Sequence, residues 1–386
     1  MKGFFYAGLI GLGIFEILNV YFIMPMPGSQ QMDSLALAYF LHSYRWIFRF
    51  IFLMLILIGA KSILQSKVLW LPISLFLLVA AISFMFNFKM TAEQMFKQPA
   101  NLVFKNQSEN KVNPQQIALL VEINHEAKAY PVEYIAYHHQ VEDQVGGRDV
   151  IVTYCSVCRS GRVFEPTVKG KQEKFRLVGM DHFNALFEDQ TTKSWWRQVN
   201  GEAVAGPLKG ELLPELESMQ LSLEKIFELY PHVKVMQADQ YFTNKYDSLF
   251  LYEQGLKQSK LTGTDTASWN DKSWVVGIDI GKESKAYDWN QLKQDRVIND
   301  VIGGKPIALV LAEDEKSFAA FIRTSLNDHL IIEKDILYLA GRRFDFSGRS
   351  LQDSIPSLQS VNAYQEFWHS WKTFHPETEK YQADLR

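Results

Sequence analysis

The sequence predicts an N-terminal three-helix transmembrane region followed by an α+β, strand-rich extracytoplasmic module built from two internally repeated units. Three observations carry this. Long apolar runs crowd the first ninety of the 386 residues. Beyond about residue 100, short apolar runs alternate with polar residues and are punctuated by Gly, Asn and Asp. Residues 121–152 also align without a gap to residues 278–309.

The apolar runs are FFYAGLIGLGIFEILNVYFIM (4–24), LALAYFLHSYRWIFRFIFLMLILIGA (35–60) and VLWLPISLFLLVAAISFMFNF (68–88). Each is long enough for a ~30 Å hydrocarbon core at ~1.5 Å per residue. The first follows Lys2 as a signal peptide would, but it is too long and no A-x-A-like site follows. Lys61 and Lys67 sit between the second and third runs, and no Lys or Arg lies between the first and second. The positive-inside rule then makes this a multi-pass protein of the cytoplasmic membrane. Everything after residue 90 faces the periplasm or cell exterior; Lys89 and Lys97 pull the other way. Glu16 and Asn19 fall inside the first run, and His42, Arg45 and Arg49 inside the second. Two readings fit these costly groups: a Glu16–Arg pair locking two helices, or arginines snorkelling from a tilted helix. The formal net charge is -3 and no long Lys/Arg run occurs. Nucleic acid is therefore not an expected partner, whereas membrane lipid is.

In the second part, IALLVEI (117–123), DVIVTY (149–154), RVFEPTV (162–168) and KFRLVG (174–179) read as strands, with QVGGRD as a turn. SLEKIFELY (222–230) reads as a short helix capped by Ser222 and stopped by Pro231. Strands and helices do not alternate regularly, so a doubly wound sheet is not expected. The gapless alignment has an offset of 157. It sets Glu126, Lys128, Ala129, Tyr130, Asp143, Gly146 and Gly147 on Glu283, Lys285, Ala286, Tyr287, Asp300, Gly303 and Gly304. Two copies follow, roughly 100–240 and 241–386, after a membrane region over 1–92.

The repeat is an internal control, because residues needed only for the fold should recur. Cys155 and Cys158, the only cysteines, fall opposite Ala312 and Glu315. His138 falls opposite Asp295 and His139 opposite Arg296, and no His stands opposite His182. The second copy keeps the turn glycines and loses the Cys/His set. That points to one specialised site in the first copy and a scaffolding second copy.

The ordered motifs AYPVEYIAYHHQVEDQVGG, VTYCSVC and SWWRQVNGEAVAGPLKG, with EFWHSWKTFHPETEKY near the end, resemble the bacterial domain-of-unknown-function family 3179 over roughly 110–386. The family stretch places its His at His138 and its Asp at Asp143. His139 and Glu142 stand where the family has Glu and Asn. Its T-Y-C-P-x-C-G is T-Y-C-S-V-C-R here, so Ser156 and Arg159 replace the Pro and Gly. The resemblance implies fold, topology and the choice of site, and no activity.

A C-x-x-C pair fits a redox couple, half of a metal site or a structural disulfide. Thioredoxin-type pairs open a helix, whose dipole lowers the first thiol's pKa. Here strands flank the motif, leaving Arg159 as the cation that favours a thiolate. A strand–turn–strand instead has the shape of a metal knuckle, and the family's C-P-x-C-G resembles the rubredoxin and zinc-ribbon turn. Cys155, Cys158, His138 and His182 then form the expected ligand set, for Zn or Cu(I) with iron behind them. His139 would point to the opposite strand face. Asp181, Glu188 and Asp189 read as a solvated strand edge, and Trp195 and Trp196 as core. No phosphate loop, G-x-S-x-G or H-E-x-x-H occurs, and no nucleotide cofactor is expected. The leading expectation is a membrane-anchored, extracytoplasmic metal-binding protein with a metal-delivery or redox partner. The alternatives are a thiol–disulfide oxidoreductase using Cys155 and Cys158, and a non-enzymatic envelope scaffold or assembly protein.

Overall fold

The computed structural model of the chain describes residues 1–247 and 249–383. The chain divides into two compact units. The smaller holds residues 1–97, 173–197 and 202–212, and the larger holds the remainder from residue 98 on.

The smaller unit opens with four helices: α1 (Lys2–Tyr21), α2 (Leu35–Ser43), α3 (Arg45–Leu64) and α4 (Trp70–Phe88). By length and composition α1, α3 and α4 can each cross a membrane, which is compatible with a membrane anchor. The run at 35–60, expected as one span, is instead two helices. Tyr44 leaves helical geometry at φ -98, ψ 13, and the Arg45 guanidinium donates to the His42 carbonyl at 2.6 Å. The second candidate span therefore begins at Arg45. Phe5, Leu9, Ile56, Ile63 and Val79 form the apolar seam. At Gly59 a Cβ would stand 2.4 Å from the Phe5 backbone nitrogen, so only glycine lets α1 and α3 approach this closely.

Of the two readings of the intramembrane charges, pairing describes Arg49. Its guanidinium donates to both Glu16 oxygens at 2.7 and 2.9 Å, and Asn87 on α4 donates to Glu16 at 2.9 Å. The same unit carries an antiparallel sheet of Phe175–Asp181, Asn184–Asp189, Trp195–Arg197 and Ala203–Ala205. The solvated edge expected at Asp181, Glu188 and Asp189 is absent, because all three are buried. Each carboxylate is instead paired: Asp181 with Arg197, Glu188 with Arg176, and Asp189 with Thr192. Trp195 and Trp196 are core, as expected, and their indole N–H groups donate to Glu188 and Asp189.

The larger unit is strand-rich. One five-stranded sheet runs Phe104–Lys105, Lys234–Met236, Glu126–Pro131, Ile117–Ile123, Met219–Ser222. Gln140–Val145, Arg148–Cys155 and Ser160–Phe164 make a three-stranded meander. Farther along, Tyr364–Phe367, Trp274–Ile280, Glu283–Asp288 and Glu379–Lys380 form one sheet. Val297–Ile302, Lys305–Leu311, Phe318–Ile322 and Gln359–Val361 form another. Gly146 and Gly147, at φ 55 and 79, make the left-handed turn expected at QVGGRD. Ser222 caps the helix Leu223–Leu229 by accepting from the Lys225 N–H at 3.1 Å.

Candidate functional site

The strand Arg148–Cys155 turns over residues 156–159 into Ser160–Phe164, with Cys155 opposite Ser160. The C-x-x-C pair thus spans a strand–turn–strand. Val157 and the buried Tyr154 anchor the turn in apolar surroundings. Both cysteines are buried, and they approach to 3.0 Å. That is contact, and well beyond the ~2.05 Å of a disulfide bond. The turn rests on the strand Tyr364–Phe367 and the helix Trp368–Phe374. The Phe367 N–H donates to the Cys158 carbonyl at 2.8 Å.

Burial pushes the Cys158 thiol well above its usual range, and the Cys155 sulfur beside it adds to the shift. A hydrogen bond with Ser370 opposes it. The Lys272 ammonium is held at this turn, where the charges of both sulfurs act on it. Burial brings its pKa down to about 8, and the charges of Cys158 and Cys155 pull the other way. Lys272 Nζ donates to the Val157 carbonyl at 2.9 Å and to the Leu261 carbonyl, and it lies 3.1 Å from His369 Nε2. His369 Nε2 also lies 3.1 Å from the Val157 carbonyl, so it accepts from Lys272 in one tautomer and donates to Val157 in the other. Burial, then Lys272, pushes His369 down to about 4, against the bond to the Val157 carbonyl, and so keeps the imidazole neutral.

Burial likewise holds His139 at about 4. Its Nδ1 lies 2.8 Å from the Tyr154 carbonyl. An unfolded histidine titrates near ~6.5. Between 6.5 and 4 the unfolded chain takes up protons that the folded chain refuses. Stability therefore falls as pH drops through that window and is unaffected by these groups above it. The expected acid loss is up to about 3 kcal/mol per histidine. His139→Gln/His369→Gln should flatten the slope of unfolding free energy between pH 6.5 and 4. An unchanged slope rejects the assignment.

The other expected ligands lie elsewhere. His138 ends the helix Val132–His138, where the sequence suggested a segment entering a strand. Its Nε2 lies 2.7 Å from the Tyr246 hydroxyl, and its ring packs edge-on against Phe242 and Tyr246. His139 is the left-handed residue after that helix, at φ 61, and not a strand residue. His182 belongs to the smaller unit, where it bonds Asp181 at 2.8 Å and faces Asp33 at 3.3 Å. Among the described residues no group of three or more His, Cys, Asp or Glu is arranged to hold a metal. The four-residue set expected from the sequence is therefore not assembled.

Arg159 is not the thiolate's cation either. Its guanidinium donates to Gln365 at 3.0 Å, to the Tyr252 and Glu253 carbonyls at 3.2 and 2.9 Å, and stacks 3.7 Å over Trp274. Lys272, His369 and Ser370 escaped sequence reasoning because they lie in the second half, which was expected to be scaffold. No local motif marks them.

A family model described as "Protein of unknown function (DUF3179)" matches residues 99–378. The chain belongs to this family. Arg159, at φ 58, occupies a left-handed position of the kind that favours glycine. No curated protein and no solved structure matches the chain.

Proposed function

We propose that this family member is a membrane-anchored thiol–disulfide protein, with Cys155 and Cys158 as its redox couple and the larger unit outside the cytoplasm. The observation that carries the reading is the pair of sulfurs 3.0 Å apart, with the Lys272 ammonium donating to the Val157 carbonyl of the turn between them at 2.9 Å. Lys272 favours negative charge on the attacking sulfur. The co-reactant is a disulfide of a partner protein. One thiolate attacks a partner sulfur to give a mixed disulfide, and the second then displaces it. The pair becomes a disulfide, and the partner gains two electrons and two protons as two thiols. Both cysteines are buried, so exchange runs through a local opening of the turn.

The test is the reduction potential of the pair in the full chain, read by alkylation and mass spectrometry in glutathione buffers. An exchange couple should lie above about -300 mV, and a resistant structural disulfide below it. A value below that line, or no disulfide in any buffer, removes the redox reading. If Cys155→Ser/Cys158→Ser leaves cellular function intact, the scaffold alternative takes its place.

A second reading keeps the sulfurs as metal ligands. A soft pair without His138 and His182 suits Cu(I) better than Zn(II), which takes four ligands in structural sites and three in catalytic ones. About one copper per chain after anaerobic purification, lost in the Cys→Ser pair, would favour it.

We also infer that residues 100–240 and 241–386 are two copies of one unit. Ile117–Ile123, Glu126–Pro131, Val132–His138 and Gln140–Val145 are matched, each 157 residues on, by Trp274–Ile280, Glu283–Asp288, Trp289–Asp295 and Val297–Ile302. The residues that align make the same clamp. Lys128 and Tyr130 hold Asp143 at 2.9 and 2.7 Å, while Lys285 and Tyr287 hold Asp300 at 3.0 and 2.9 Å. A crystal structure in which the two segments fail to superpose would refute the duplication. The orientation rests on Lys2, Lys61 and Lys67, and protease added to intact spheroplasts should cut the larger unit. Protection there would reverse the topology.

A further inference from the structure

The smaller unit contains a cavity of about 710 Å³ bounded by α1, α3, α4 and the strand Phe175–Asp181. Its polar lining includes Asn19, Arg45, Arg49, Ser83 and Arg176. Its apolar lining includes the exposed Trp46, Phe84 and Phe88. The size suits a drug-sized ligand, and the mixed lining suits an amphiphile.

The charges in it are unequally satisfied. Arg49 is held by Glu16 and Asn87, and Arg176 by Glu188 at 2.7 Å and Glu93 at 3.1 Å. Arg45 makes no ion pair among the described residues, and its hydrogen bond goes to the His42 carbonyl. Three buried polar atoms of the lining also lack a hydrogen-bond partner among the described residues: Asn19 Oδ1, on a residue only 7% exposed, Ser83 Oγ, and His42 Nε2, the last facing Glu188 at 3.5 Å. A buried polar atom without a partner is costly and marks a place where a ligand can supply one. Arg45 asks for an anion, Asn19 Oδ1 for a donor, and Ser83 can serve either.

We propose that this cavity binds one anionic phospholipid whose headgroup carries both a phosphate and a hydroxyl, the phosphate on Arg45 and the hydroxyl on Asn19, with acyl chains over Trp46, Phe84 and Phe88. The inference rests on the membrane-anchored reading and is independent of the thiol chemistry. A guanidinium binds phosphate through charge-assisted bonds, and a phospholipid tail suits the aromatic mouth. Glu93 also lines the cavity, where Arg176 holds it at 3.1 Å.

The experiment uses the full chain in nanodiscs of mixed phosphatidylglycerol and phosphatidylcholine, released into detergent for native mass spectrometry. We expect one phosphatidylglycerol retained per chain in preference to phosphatidylcholine. Arg45→Gln should cut that retention about 10- to 100-fold, as loss of a charge-assisted bond does. Ser83→Ala, a milder change that spares the fold, should also lower it, and Lys61→Gln, outside the cavity, should leave it unchanged. Equal retention of both lipids, or an equal loss with Lys61→Gln, overturns the proposal. Inorganic phosphate forms the second arm. A phosphate-induced thermal shift that needs Arg45, without retained phosphatidylglycerol, would assign the site to free phosphate and overturn the lipid. A chain recovered in the soluble fraction would instead refute membrane anchoring itself.

Discussion

Glu366→Ala should destabilise the larger unit by about 3–5 kcal/mol, with a fall in Tm of about 6–20 °C for a unit of this size. Arg162 and Glu366 are both buried, and the guanidinium donates to Glu366 at 2.6 Å. Removing the carboxylate strands a buried cation. Glu215, 3.6 Å from Arg162 and bonded by the Tyr364 hydroxyl, softens the loss and places the expectation toward the lower end. Val199 O and the Tyr364 ring still hold the guanidinium in position, so it cannot escape to water. Arg162→Met/Glu366→Leu should recover most of the stability, because it deletes both charges together. Urea unfolding of the detergent-solubilised chain measures both variants. A single substitution costing less than about 1 kcal/mol would mean that the pair is wetter than its burial implies. Glu366 also accepts from Ser370, whose hydroxyl bonds the Cys158 sulfur. The same variant should therefore disturb the thiol pair.

This coupling bears on what the sequence could disclose. Short apolar runs bounded by polar and turn residues located the strands at 117–123 and 149–154, and Ser222 marked its helix, because a buried strand and a capped helix write themselves into nearby residues. The helix Val132–His138 was missed because VEYIAYH is as apolar as the strands around it. A buried seven-residue helix gives too few turns for a clear period. The break at Tyr44 was hidden for a related reason. Apolar residues continue on both sides of it, and hydropathy does not register one residue leaving helical geometry. The knuckle itself was legible from Cys155, Cys158 and the strands flanking them.

Its surroundings were not legible, because they come from far along the chain. Lys272, Glu366, His369 and Ser370 stand more than a hundred residues from Cys158, and spacing carries no information at that range. The second half of the chain holds no cysteine and was expected to be passive scaffold. Instead it supplies Lys272, bonded to the turn at Val157, and the strand whose Phe367 N–H bonds the Cys158 carbonyl. Arg159 shows the converse error. It sits next to Cys158 in sequence, yet its charge is spent on Gln365 and two backbone carbonyls. Adjacency in sequence placed the wrong cation at the sulfurs.

Lys272→Met therefore becomes the most direct probe of the thiol chemistry. An opposite charge close to a thiol lowers its pKa by about 1–3 units. Without Lys272, the thiolate population at neutral pH should fall about 10- to 1,000-fold. Nucleophilicity rises partway in compensation, with a Brønsted slope of about 0.4–0.5, so alkylation should slow about 3- to 30-fold. The pH profile separates this from a packing defect. Lys272 loses its proton near pH 8, and the wild-type alkylation rate should bend below the ordinary thiol titration curve as that charge disappears. In Lys272→Met the bend should be missing at every pH. Lys272→Arg should restore the charge, because guanidinium stays protonated, and should move the bend out of range. A defect of packing alone would lower the Tm in both variants and would quicken alkylation by opening the turn. Faster alkylation in Lys272→Met, with the bend retained, would deny Lys272 its role and with it the redox reading of Cys155 and Cys158.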